Sequence, residues 1–394
     1  MAADWVGDLP GLRIPPQSSQ VRALIPEGPL AGVRVLDLSR LLPGGFATLM
    51  LAELGAEVIK VEDPRGGDPM RHLPPFVEGR SVYDLLLNRG KRSVVLDLRK
   101  PESGPVLDAL VARADIVVES FRPATARRLG VSGPQLREKY PRLVHAAITG
   151  YGQTGPYAEH PGHDLNYVAV TGVLAADRPH PAHLPKMFMA DVGGGAMSAV
   201  VAMIVALFAR TTTGQGASLD LSMQDAALFW VMLPGAADLI DGGGDAVGEL
   251  PTFGDHACYN VYETQDGRQV ALGAMETKFW TTFCEAIGRL DLRARHLTDD
   301  EDQAAVIRDV REIFRSRTQA EWLVCFEGRD VCLSPVNTPA EAFADPNVTA
   351  RGTVIQGQGL RAVRSPFGHA PVPLGAAPVL GQDTADVLGA LDVK

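Results

Sequence analysis

Residues 32–64, GVRVLDLSRLLPGGFATLMLAELGAEVIKVEDP, decide the fold. VRVLDLS and EVIKVE are short runs rich in Val, Ile and Leu, the composition of strands. Between them FATLMLAELG carries its apolar residues at helical spacing and stops at Gly55, a natural helix end. Strand, helix, strand in this order is a β-α-β unit, and it demands a parallel sheet. RSVVLDL (92–98), VLDALVARA (106–114) and DIVVES (115–120) repeat the same logic, and RLVHAAITGYG gives another strand leading into a glycine turn. Farther on, RTTTGQGASLDLSMQDAALFW reads as a helix end, a glycine loop, a strand and a new helix from about Met223. The longest apolar run, Ala196–Ala209, would reach roughly 21 Å as a helix. That is short of the roughly 30 Å hydrocarbon layer of a membrane, so it reads as a buried core helix.

The chain of 394 residues has room for about two or three domains and a large core. With 46% hydrophobic and 21% charged residues it has the balance of a soluble globular protein. A net charge of −10 leaves no surplus of cations for phosphate backbones, which argues against a nucleic-acid partner. Cys258, Cys284, Cys325 and Cys332 form no C-x-x-C pair, so no metal site is expected. They read as reduced packing residues of a cytoplasmic protein. Residues 1–28 read as an N-terminal extension without the basic start and apolar core of a secretory signal. Residues 233–250, rich in Gly and Pro, read as a linker. Residues 251–340 read as a smaller domain, opening with the hairpin YNVYETQDGRQVALGAM turned at Asp266-Gly267 and continuing in helices.

The glycine-rich loop RLLPGGFATLM follows a strand and opens a helix, yet lacks G-x-G-x-x-G. No G-x-x-x-x-G-K-[ST], H-E-x-x-H or G-x-S-x-G occurs, so P-loop, zincin and α/β-hydrolase chemistries lose their signatures. NRGKRSVVLDL places Arg89, Lys91 and Arg92 at the start of a strand, either as a solvated edge or as a clamp for phosphate oxygens. GHDLNY sets His163 beside Asp164, and MADVGGG sets Asp191 ahead of three glycines and a long apolar helix. Taken as residues alone, His163 is a packing histidine or a proton carrier. Asp164 and Asp191 are helix N-caps or acid/base groups.

Several ordered segments together resemble the family III CoA-transferase superfamily, and within it the α-methylacyl-CoA racemases. They are LAGVRVLDLSRLLPGGFATLMLAELGAEVIKVEDP, NRGKRSVVLDL, ADIVVESFRP, ITGYGQTGPYAEHPGHDLNY, MADVGGG, LFARTTTGQGASLDLSMQDAA, GAMETKFW and CLSPVNTPAEAFADPNVTARG, spread over roughly residues 30–365. The resemblance implies an α/β fold: a Rossmann-like large CoA-binding domain with a parallel sheet (29–232) and a smaller α+β domain, with 341–394 returning to the large one. It implies an intertwined homodimer with a site between subunits, and no membrane or nucleic-acid partner. Its proton-transferring histidine falls on His163, its acidic partner on Asp191, and a further glutamate on Glu276 in GAME. Asp164 would orient His163 or bind backbone nearby, and Tyr167 would line the pocket. Its contacts to CoA fall on Arg89, Ser93 and Leu96, with Lys91, Arg92 and Arg122 as basic residues for the phosphates. Where racemases often have Arg, this chain has Asp63, and Arg65 stands two residues on.

The activity so implied is racemisation or epimerisation of 2-methylacyl-CoA thioesters by two-base proton transfer through an enolate, with CoA arriving as part of the substrate and no tightly bound cofactor. The alternative is a CoA-transferase, whose aspartyl nucleophile would fall on Asp177 in AADRPHP. A third is a non-catalytic CoA-binding protein.

Overall fold

The computed structural model describes residues 28–175, 186–240, 254–357, 360–367 and 375–391. Asp177 lies outside them. The first half alternates as the sequence requires: β1 (Arg34–Asp37), α1 (Leu41–Glu53) and β2 (Glu57–Glu62), then a small hairpin, β3 (Phe76–Val77) and β4 (Arg80–Ser81), and α2 (Val82–Leu87). Then come β5 (Arg92–Val95), α3 (Ser103–Val111), β6 (Ile116–Glu119), α4 (Pro123–Leu129), α5 (Gly133–Lys139) and β7 (Val144–Thr149). After α6 (Asp164–Ala169) a π-helical turn, Met189–Ala196, runs straight into α7 (Met197–Thr213), followed by β8 (Ser218–Ser222) and α8 (Met223–Val231).

The six longer strands make one sheet in the order β5-β2-β1-β6-β7-β8, every neighbouring pair parallel. Renumbered within the sheet this is 3-2-1-4-5-6, the doubly wound order, in which the chain switches direction between β1 and β6. Both faces are covered, as a parallel sheet requires. On one face Leu36, Val94, Val117, Leu107, Leu110 and Leu136 form a buried cluster under α3 and α5. On the other, α7 lies on α1 and β7.

α7 departs from the buried helix the sequence suggests. Ala199, Val200 and Met203 are fully buried, but Val201, Val205 and Phe208 are 57–74% exposed. With the π-helical turn it forms one apolar helix of 25 residues, Met189–Thr213, long and apolar enough by length and composition to cross a membrane. The sequence count missed this length because the glycines ahead of Ala196 do not interrupt the helix.

The last stretch of chain belongs to the large unit and straps the open edge of its sheet. The Asp383 amide donates to the Ser93 carbonyl and the Ser93 amide to Asp383 Oδ2, Thr384 Oγ1 accepts from the Val95 amide at 3.0 Å, and Arg92 pairs with Asp386. α14 (Thr384–Gly389) and the residues after it then drop Val387 and Leu391 into the core. Covering an edge strand removes a row of open hydrogen-bonding groups.

The described residues divide into this large unit, which includes the chain up to Trp230 apart from a short excursion after Val173 and resumes at Gln356, and a smaller unit over Val231–Ile355. The smaller unit holds an antiparallel sheet, β11-β10-β9, from β9 (Tyr259–Glu263), β10 (Gln269–Gly273) and β11 (Leu333–Pro335). The helices α9 (Thr277–Ala286), α10 (Asp300–Phe314) and α11 (Gln319–Phe326) pack on it. Its core is aromatic: Trp280, Phe283, Phe314, Trp322 and Phe326 pack with ring centroids 5.2–5.8 Å apart, stacked except for the edge-on pair Phe314–Trp322. Both indoles satisfy their N–H groups on carbonyls, Leu292 and Phe314, at 2.8 Å. Short elements complete the chain: α12 (Pro339–Ala342), α13 (Pro346–Ala350), the pair β12 (Val354–Gly357) and β13 (Leu360–Val363), and α14 (Thr384–Gly389).

Candidate active site

Parallel strands end at one rim of the sheet, and ligands of such sheets bind there, beside the switch point. The large unit has a pocket of about 210 Å³ at that place. The residues that follow β1 (Leu38, Ser39, Arg40), the end of β2 and its loop (Glu62, Asp63, Arg65), those past β5 (Leu96–Arg99) and those past β6 (Phe121 to Leu129) line it. Its walls are apolar, from Leu38, Leu96, Leu98, Phe121 and Leu129, and its rim carries Arg40, Arg65, Arg99 and Arg128. Apolar walls with a cationic rim suit a heteroaromatic ring bearing phosphates.

The four arginines differ. Arg65 and Arg99 are each forked onto the aspartate two residues back. Arg65 donates from Nε and Nη2 to Asp63 at 3.0 and 2.7 Å, and Arg99 to Asp97 at 2.7 and 2.8 Å. The Arg65 guanidinium holds the Asp63 carboxyl well below the usual carboxylate range. Arg40 and Arg128 make no side-chain hydrogen bond or ion pair among the described residues, so their full charge faces the pocket.

Of the expected CoA contacts, Arg65 and Leu96 stand in this pocket. The basic cluster of NRGKR does not stay together. Lys91 turns inward: its Nζ, fully buried, donates to Thr48 Oγ1 (2.7 Å) and to the Gly45 carbonyl (3.0 Å) and lies 3.3 Å from Asp37. Burial brings its pKa down to about 8 despite the Asp37 charge. Lys60 joins the same interior network, 2.9 Å from Asp68 and 3.7 Å from Asp37. Ser93 donates to Glu62 at 2.7 Å, Arg92 pairs with Glu57 and Asp386, and Arg89 pairs with Glu53. These four side chains therefore serve the interior and the strapped edge of the sheet. The signal for Arg40, Arg99 and Arg128, which carry no motif, was their place three to nine residues past a strand end.

The second group of candidates gathers beyond the end of β7. His163 precedes the first residue of α6, and its amide donates to Asn166 Oδ1 at 3.0 Å. Its imidazole is exposed, at the N-cap of α6. Tyr167, one helical turn on, is buried. Its hydroxyl donates to the Gly162 carbonyl at 2.6 Å, and its ring lies against Tyr151 at 5.1 Å. A Cβ at Gly150 or Gly162 would stand 2.3 or 2.6 Å from that ring, so both positions need glycine. Burial first, then the Asp191 charge, pushes the Tyr167 hydroxyl up to about 12, with Arg122 acting in the opposite direction.

Asp164 reaches across to the π-helical turn. Its Oδ1 accepts from the amides of Ala190 and Asp191, both at 2.8 Å. That pair of bonds satisfies two donors at a helix start and ties the Asp191 segment to the residue beside His163. Asp191 itself has a buried Oδ1 with no partner. Burial, and secondarily the Asp164 charge, pushes its pKa from 3.8 up to about 7. A carboxyl poised there can give or take a proton at neutral pH. Glu276 is exposed in the smaller unit, at the residue before α9.

Comparison with known proteins agrees with this frame. The model of CoA-transferase family III matches residues 30–384. Alpha-methylacyl-CoA racemase of Homo sapiens is 31% identical over 344 residues, 83% of this chain and 82% of its own. Succinyl-CoA:glutarate CoA-transferase of Homo sapiens is 32% identical over 384 residues, 91% of this chain and 85% of its own. Among solved structures, a CAIB/BAIF family protein from Brucella suis superposes with a TM-score of 0.81 at 29% identity, covering 93% of this chain and all (100%) of that one. Doubly wound sheet, strand-end pocket and matched length agree: the chain belongs to CoA-transferase family III, whose enzymes act on CoA thioesters.

Proposed function

We infer that the protein racemises or epimerises 2-methylacyl-CoA thioesters. The observation that carries this reading is the state of Asp191: a buried carboxyl, unpartnered at Oδ1, raised to about 7 and anchored beside His163 through Asp164. Removing the hydrogen next to a thioester carbonyl needs a base on one face of that carbon, and returning it inverted needs an acid on the other. In one direction His163 takes the α-proton, the electron pair of the C–H bond moves into an enolate, and the Asp191 carboxyl gives its proton to the opposite face. The reverse direction exchanges the roles. The strand-end pocket would hold the adenosine and phosphates of CoA, with Arg40 and Arg128 meeting phosphate oxygens. Glu276 would steady the His163 imidazole from the partner subunit of an intertwined homodimer, as a carboxylate does in a triad. The exposed apolar face of α7 supports such a partner.

A second reading is acyl transfer through Asp177, favoured by the near-equal identity to CoA-transferases of succinate, glutarate and oxalate. Deuterium uptake at the α-carbon of a 2-methylacyl-CoA in heavy water separates the two. Exchange that is lost in His163→Ala and Asp191→Asn and kept in Asp177→Ala is expected. Acyl transfer to a free carboxylate, lost in Asp177→Ala, without any such exchange would refute the racemase.

A further inference from the structure

The three glycines after Asp191 are spacers for α8. A Cβ at Gly195 would stand 2.7 Å from Met223 Cγ and 2.9 Å from the Ala190 carbonyl. At Gly194 it would meet Ala226 Cβ at 3.0 Å, and at Gly193 it would touch Trp230 Cη2 at 3.6 Å. Met223, Ala226 and Trp230 are spaced by three and four, one face of a helix. So α8 lies along the π-helical turn and carries its indole to Gly193, two residues from Asp191.

That indole is half exposed, and it has company. Phe188 and Met187, just before the turn, and Leu165, just after Asp164, are each 45–74% exposed. Four large apolar side chains thus border the segment that holds the candidate acid/base carboxyl. Among the described residues the charge that bears on Asp191 is another carboxylate, Asp164. An acyl group with a second carboxylate would meet repulsion here and find apolar walls in place of a partner. A neutral branched or aryl acyl group would bury its surface against them.

We propose that Trp230, supported by Phe188, is the specificity-determining wall of the acyl site, and that it selects neutral branched or aryl acyl-CoA thioesters over dicarboxylic ones. The proposal rests on the reading that Asp191 faces the α-carbon of a bound thioester. It places the acyl group over Gly193, between the indole and Leu165, with the CoA portion leading toward the arginine-rimmed pocket.

Calorimetric titration of the full-length protein with 2-phenylpropionyl-CoA, succinyl-CoA and CoA tests it. The wild-type protein is expected to bind 2-phenylpropionyl-CoA at least roughly tenfold tighter than succinyl-CoA. Trp230→Ala is expected to erase about tenfold of that ratio and leave the Kd for CoA unchanged. Trp230→Gln, which replaces the apolar ring with a polar amide and leaves a longer side chain on α8 than alanine does, is read the same way, so the test does not hang on one variant folding. A wild-type preference for succinyl-CoA, or a ratio untouched by either variant, overturns the proposal. α-Deuterium exchange by the wild-type protein is scored separately. Selectivity that follows Trp230 without exchange removes the racemase and leaves the wall, while exchange without selectivity does the opposite.

Discussion

Asp164→Asn asks how much of the proton affinity of Asp191 comes from its neighbour. Asp191 is raised from 3.8 to about 7, by burial first and by the Asp164 charge second. The Asp164 oxygen sits 2.8 Å from the Asp191 amide, which brings the two carboxylates close without letting them touch. Two carboxylates about 6 Å apart repel by roughly 1.4 kcal/mol at an effective dielectric near 40 and about 2.8 kcal/mol near 20, equivalent to about one to two pH units. Asparagine keeps an oxygen to accept from the amides of Ala190 and Asp191 and carries no charge. A carboxyl raised to about 7 is protonated below that pH, so its service as acid is present below pH 7 and fades above it. Relieving the repulsion lets it ionise earlier. The inflection near pH 7 in kcat/KM for α-deuterium exchange is therefore expected to move about one to two units to acid. Asp164→Ala loses the acceptor as well and should depress exchange at every pH, because the π-helical turn loses its anchor. An unmoved inflection in Asp164→Asn, or a move to alkali, refutes the electrostatic link.

Asp191→Asn should stabilise the fold above pH 7, where the wild-type carboxyl is charged while buried. Discounted for its partial exposure the gain is about 1–2 kcal/mol in urea unfolding at pH 8; it should shrink as the pH falls from 7 toward 3.8 and vanish only below about pH 4, where the folded and unfolded chains both hold the proton. Leu391→Ala removes a core side chain of the C-terminal strap and should cost about 2–4 kcal/mol in the same assay, with the open β5 edge reported by faster amide exchange at Ser93 and Val95. Arg128→Ala should weaken CoA binding about tenfold and flatten its salt dependence, and it should leave the thermal midpoint within about 2 °C because Arg128 anchors no other described residue.

The β-α-β core was legible because its strands are near-continuous apolar runs, and such runs survive without knowledge of their neighbours. Strand order was not legible: that β1 sits between β2 and β6 depends on pairings between residues tens of positions apart. Arg40, Arg99 and Arg128 escaped notice for the same reason, since each is an ordinary loop or helix residue until the strands align and bring them around one pocket. NRGKR misled in the opposite way. Its cations are adjacent in sequence, but pleating and the turn before β5 send Lys91 to the interior and Arg92 to the edge. α7 hid its exposed face because a helix apolar all round has no periodicity to read. The pairing of His163 with Asp191 came from motif resemblance, and the structure supplies the link the motif lacks: Asp164 hydrogen-bonded to the Asp191 amide.

Near-equal identity to racemases and to transferases follows from how the work is divided along the chain. Either reaction needs CoA anchored, at the strand ends on the function proposed above, and the thioester carbonyl presented in one pose. Those demands fall on the sheet, the pocket and the crossover helices, which make up most of the aligned length. The chemistry diverges at a carboxylate. An aspartate that attacks a thioester must be ionised at neutral pH, and that calls for hydrogen bonds or cations to hold its charge. An aspartate that shuttles a proton must keep its proton part of the time, and that calls for burial and a like charge nearby. Asp191 has burial, an unpartnered oxygen and, as the charge that bears on it among the described residues, the Asp164 carboxylate. That environment works against a nucleophile and for a proton carrier. If acyl transfer occurs at all in this protein, it must use a carboxylate held in a different setting, and exchanging the surroundings of Asp191, by placing a lysine at Leu165, should abolish α-proton exchange without creating transfer.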